Sequence, residues 1–121
     1  MLDETETLAE FLRTLDTDEI GVHLLHLPVR NLVLDACRMA NKTAVTLDAK
    51  PQVIVTADAV VERGNIRCLK DEVDAAVPDA RRVIVFRIAG DVPLAPTLDA
   101  YLDVVMIPER DVWFDQVGAS G

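Results

Sequence analysis

The chain has 121 residues, half of them hydrophobic, and its 21 acidic against 12 basic side chains give a formal net charge of −9. That length suits a single domain over residues 1–121 with a core of its own. The acidic balance argues against nucleic acid as a partner, because phosphate binding draws on clustered Lys and Arg.

The N-terminus, MLDETETLAE, is acidic where a signal peptide is basic and then apolar. No apolar run approaches the ~20 residues that span a bilayer, so a cytoplasmic protein without membrane contact is expected. Thr7 followed by Glu10 fits a capping box. Leu8, Phe11, Leu12 and Leu15 then repeat at helical spacing, which predicts a short amphipathic helix ending near Leu15.

Asp16, Thr17 and Asp18 are polar punctuation and offer a second N-cap. Residues 20–27 are strongly apolar and suit helix or strand, with Pro28 ending the run either way. His23 and His26 would share a face if this run were helical, yet no third ligand accompanies them, so hydrogen-bonded histidines are expected rather than a metal site. Over residues 29–40, apolar side chains at 29, 32, 33, 36, 37 and 40 predict a helix with one buried face. Cys37 and Cys68 lie apart with no CxxC or Cys/His spacing, so they read as reduced thiols, and no metal is predicted.

Val53, Ile54 and Val55 form a β-branched run between Pro51 and Asp58, the pattern of a strand covered on both faces. Leu69, Val73, Ala76 and Val77 repeat at helical spacing up to Pro78. Asp71, Glu72 and Asp74 near the helix start read as a solvated, dipole-favoured turn rather than a cation cluster. Residues 83–86, Val-Ile-Val-Phe, repeat the buried-strand pattern. Residues 53–87 are therefore a βαβ unit with parallel strands and a right-handed crossover. Farther on, residues 98–102 suit a helical turn, 104–107 a third strand and 111–117 a short helix carrying Trp113 and Phe114. Residues 118–121 read as a frayed tail. The expected class is α/β: a small parallel sheet of about three strands with flanking helices.

Five segments occur in one order: DAKPQVIVTAD (48–58), ERG (62–64), LKDEVDAAV (69–77), RRVIVFRIAGDVP (81–93) and PERDVWFDQV (108–117). This order resembles an internal stretch of the AMP-forming acetyl- and propionyl-CoA synthetases, over about residues 48–117 with gaps. There the corresponding patterns run DAKPKVLITAD, EGVRGGR, PLKxxVDEAL, VIVVxRTG and PGRDVWWHDLV. The stretch that the family places between its ACARIGA helix and the first strand is shortened here to KTAVTL (42–47). Residues 1–20 show no such likeness.

The resemblance implies coenzyme A or an adenine nucleotide as ligand, since arginines of the family's VRGGR loop lie near the nucleotide end of coenzyme A. Carried over, those arginine positions are Glu62 and Asn65, with Gly64 retained and Arg63 and Arg67 close by. Glu62 inverts the charge that a phosphate would meet. The candidate binding residues are thus Asp58, Arg63, Gly64, Asn65 and Arg67. Asp58 follows a strand, where open α/β sheets place ligand groups, and it equally suits capping the next turn.

The five glycines are scattered at 21, 64, 90, 118 and 121, so no stretch matches the family's TSGTTGxPK phosphate loop. Backbone N–H groups and a lysine around a triphosphate are what adenylation needs, so the chain alone is not expected to form an acyl-adenylate, and no catalytic residue is assigned. The sequence therefore points to a short, non-catalytic relative or truncated piece of an acyl-CoA synthetase that retains weak nucleotide or coenzyme A binding. The competing reading is an interaction module of unrelated origin, binding a partner or a second copy through apolar surface near Trp113 and Phe114.

Overall fold

The computed structural model describes residues 3–25, 27–62, 65–88 and 105–117. Helix α1 (Glu4–Arg13) starts at Asp3, whose Oδ1 accepts the Glu6 N–H at 2.8 Å. The expected cap at Thr7 is therefore displaced upstream: Thr7 lies inside the helix, where its hydroxyl donates to the Asp3 carbonyl at 3.0 Å. Strand β1 (Glu19–His23) makes the first part of the apolar run 20–27 extended, and the chain then turns at Leu25, where φ is 52°. Its β-branched Ile20 and Val22 suit a sheet, and Pro28 then opens helix α2 (Val29–Met39). Asn41 takes the left-handed conformation that ends a helix, at φ 60°. The following N–H, from Lys42, reaches back to the Cys37 carbonyl at 2.8 Å.

Strand β2 (Thr43–Val45), a 3-10 turn (Leu47–Ala49) and strand β3 (Val53–Ala57) follow. Strands β4 (Val60–Glu62) and β5 (Asn65–Arg67) pair antiparallel as a separate hairpin between β3 and the next helix. Helix α3 (Leu69–Ala76), strand β6 (Arg82–Phe86), strand β7 (Asp111–Trp113) and helix α4 (Phe114–Val117) complete the described chain. The main sheet has five strands in the order β2-β1-β3-β6-β7, and every neighbouring pair is parallel.

The α/β class and the βαβ unit of β3, α3 and β6 are as the sequence predicts, but the sheet is larger than three strands. The expected third strand at 104–107 is not one: residues 105–107 are irregular, and residue 104 lies outside the described chain. The strand forms instead at Asp111–Trp113, so the helix predicted over 111–117 shrinks to α4. The turn expected at 98–102 and the tail 118–121 lie outside the described residues.

The period of two along β3 and β6 divides the core between the faces of the sheet. Val53, Val55, Ala57, Ile84 and Phe86 pack with Leu8, Leu12, Val33 and Ala36 of α1 and α2. Ile54, Val83 and Val85 pack with Val73 and Val77 on the opposite face, under α3. Helices on both faces explain why β3 and β6 read as continuous apolar runs.

The crossover from β2 to β3 must pass over β1, yet it has only the seven residues 46–52. Parallel crossovers usually take a dozen or more. Here a single 3-10 turn suffices because it lies directly on the strand. Gly21 permits this: a Cβ there would stand 2.5 Å from the Pro51 Cγ. Residues 43–45 of the KTAVTL stretch (42–47) are strand β2 itself, and the crossover begins only at residue 46.

Candidate functional site

From β1 the chain turns outward to β2, then returns across β1 to β3, after which the strands run on to β6 and β7. The order reverses between β1 and β3. In open α/β sheets such a reversal opens a crevice at the carboxyl ends of the two strands, the usual place for a ligand. The residues placed there are His23 at the end of β1, Asp58 just after β3, and the hairpin with the first turns of α3.

Asp58 is buried, with 4% of its surface exposed. Its Oδ1 accepts the N–H of Ala59 at 2.7 Å and of Ile88 at 2.9 Å, and its backbone N–H donates to the Phe86 carbonyl at 3.0 Å. The carboxylate thereby ties the end of β3 to the chain leaving β6. Its carbonyl also accepts from the Cys68 thiol at 3.4 Å and the Lys70 N–H at 3.4 Å, which positions the start of α3.

Of the other predicted binding residues, Arg63 and Gly64 lie outside the described chain, and Asn65 is described only as the first residue of β5. Arg67, the last residue of β5, bonds Glu72 through two guanidinium nitrogens, at 2.6 Å from Nε and 2.9 Å from Nη2. Such a fork fixes the orientation of both side chains. His23 Nε2 stands 2.9 Å from the Glu72 Oε1, so one carboxylate on α3 holds both the hairpin and the end of β1. The hydrogen bond from Arg67 holds the Glu72 carboxyl below the usual glutamate range; burial opposes this and the bond from His23 adds to it.

The first turns of α3 are therefore not the solvated acidic patch expected from the sequence. Asp71 is exposed, but Glu72 and Asp74 are both engaged. Asp74 accepts from Lys70 Nζ at 2.7 Å and from Arg110 Nη2. Lys70 Nζ also meets Asp111 Oδ2 at 2.9 Å and the Val105 carbonyl at 2.8 Å. Arg110 Nε reaches Asp111 Oδ1 at 2.6 Å. Burial pushes the Asp111 carboxyl up, but the bonds from Arg110, the Ile107 N–H and Lys70 outweigh it and hold the group below the usual range. The bond to Asp111, more than any other contact, pushes the Arg110 guanidinium higher. These four charges pin the segment before β7 to α3 and are structural. The i,i+4 spacing of Lys70 and Asp74 was visible in the sequence; Arg110 and Asp111 carried no signal of it.

Beside the switch point a groove of about 510 Å³ runs between α3 and the 3-10 turn, ending at His23. Leu25, Leu47 and Ala76 give it aliphatic walls, while Arg30, Thr46 and Asp48 bring polar groups to its rim. Trp113 and Phe114 are half-buried: Phe114 stacks on Phe86 at 4.3 Å between ring centroids, and the Arg87 guanidinium lies 3.9 Å over the Trp113 ring. Among the described residues, no group of three His, Cys, Asp or Glu side chains is placed to hold a metal ion, and no helix is long and apolar enough to cross a membrane.

The fold is similar to part of acetoacetyl-CoA synthetase from Streptomyces lividans, with a TM-score of 0.65 over 96% of this chain at 19% sequence identity. The match takes in 19% of the synthetase, so this chain spans about a fifth of that protein's length. No protein-family model and no curated protein sequence matches the chain. The likeness is therefore one of fold. It reaches residues 1–47, where the sequence resemblance fades.

Proposed function

We propose that this chain is a non-catalytic relative of the acyl-CoA synthetases that binds coenzyme A or an adenine nucleotide weakly at the carboxyl end of its sheet, around Asp58 to Arg67. The observation that carries the reading is the fold shared with acetoacetyl-CoA synthetase over 96% of the chain, reached independently of the ordered motifs in 48–117. The β1/β3 switch point supports the location. Asp58 serves by fixing the floor of the crevice through Ala59 and Ile88. Arg67 is the phosphate-facing cation, and its fork on Glu72 means that a phosphate shares or displaces that partner. Weak affinity follows from this competition and from Glu62 in the same hairpin. The absence of a TSGTTGxPK-like stretch from these 121 residues supports a chain that does not adenylate.

Calorimetric titration of the protein with coenzyme A, ATP and AMP tests the reading. Saturable heat with at least one of them, and no ATP–pyrophosphate exchange in the presence of acetate, is the expected result. No heat with any of the three overturns it.

A further inference from the structure

The groove beside α3 holds groups that the nucleotide reading does not use. Its volume, about 510 Å³, falls within the range of small-molecule sites. Arg30 and Asp48 both line it, and among the described residues neither side chain has an ion-pair partner. One unpaired cation and one unpaired anion thus share a groove without bridging to each other. His23 completes the set. Its Nε2 faces the Glu72 carboxylate, which only accepts, so Nε2 carries the proton and Nδ1 of the neutral ring is left as an acceptor. Among the described residues Nδ1 has no hydrogen-bond partner, and no unpartnered side-chain nitrogen or oxygen is buried, so Nδ1 is accessible on a residue that lines the groove.

We propose that this groove binds a small aliphatic zwitterion, of the class of a free branched-chain α-amino acid. Arg30 takes the carboxylate, Asp48 and His23 Nδ1 take the ammonium, and Leu25 and Leu47 take the apolar side chain. A ligand of a single charge leaves one of the two rim charges unanswered, and that difference is the source of selectivity. Glu72 acts as a positioning residue: through its bond to Nε2 it fixes which ring nitrogen can accept. The 3-10 turn of the β2–β3 crossover supplies one side of the site, through Leu47 and Asp48.

The test is calorimetric titration of the whole protein with leucine, with its deamino analogue 4-methylpentanoate and with its decarboxylated analogue isopentylamine. Leucine is expected to bind at about millimolar or lower concentration, with each single-charge analogue weaker by about tenfold or more. Arg30→Gln and Asp48→Asn should each weaken leucine by a similar factor; both side chains are exposed, so neither change removes core. Glu72→Gln should weaken leucine less than either. Coenzyme A titrated in parallel reports on the nucleotide reading by itself. Absence of leucine binding, an analogue that binds as tightly as leucine, or undiminished binding to both Arg30→Gln and Asp48→Asn overturns the proposal.

Discussion

Lys70 Nζ lies 2.9 Å from Asp111 Oδ2, and neither side chain reaches solvent. A lysine in the first turn of α3 and an aspartate opening β7 thus neutralise each other inside the protein. Asp74, Arg110 and the Val105 carbonyl satisfy their remaining hydrogen-bonding capacity. A buried pair of this kind costs more when halved than it contributes when whole, because the surviving charge is left desolvated. Lys70→Ala should therefore destabilise the protein by about 3–5 kcal/mol, read as a lower urea midpoint.

The same network sets the response to acid. Asp111 and Glu72 are both held below their ordinary values of 3.8 and 4.5. A carboxyl depressed in the folded state contributes its full stability above the ordinary value and loses it as pH falls through the folded one. Stability should thus be flat in this respect near neutrality and fall steeply below the ordinary carboxyl range. In Asp111→Asn that stability is already absent at neutral pH, so its decline below pH 3.8 should be shallower. Urea melts in steps from neutral pH to about pH 2 measure both slopes.

Gly21→Ala tests why the short crossover fits. The new Cβ would meet the Pro51 ring at 2.5 Å, and a proline ring cannot swing aside. Overpacking of this kind costs about 1–3 kcal/mol. Thermal melting should show the loss, and the groove next to the crossover should lose affinity for its ligand as well.

Glu72→Gln separates stability from positioning. The side chain is 35% exposed, so its ion pair with Arg67 contributes less than about 1 kcal/mol. Melting should change little. The His23 ring should lose its fixed tautomer, visible in its nitrogen chemical shifts by NMR.

The sequence revealed the centre of the sheet and not its edges, for physical reasons. Strands β3 and β6 are buried on both faces, so their β-branched runs are unbroken. Strands β2 and β7 have three residues each, too few to show a period. The apolar run 104–107 misled because its backbone is spent elsewhere: the Val105 carbonyl accepts from Lys70, and the Ile107 N–H donates to Asp111 at 2.7 Å. The place of Asp58 just after β3 was legible, because a β-branched run ends there. The bond between His23 and Glu72 joins positions 49 residues apart, which no local pattern encodes.

The proposed function has ligands entering at the carboxyl end of the sheet, where β1 and β3 part. Amide chemical-shift mapping by NMR during a coenzyme A titration tests it most directly. Shifts gathered at Asp58, Arg67, Cys68 and Glu72 are expected, with His23 moving alongside. Shifts gathered instead at the opposite end, around Thr14, Arg81 and Arg82, or no shifts at saturating ligand, would contradict it.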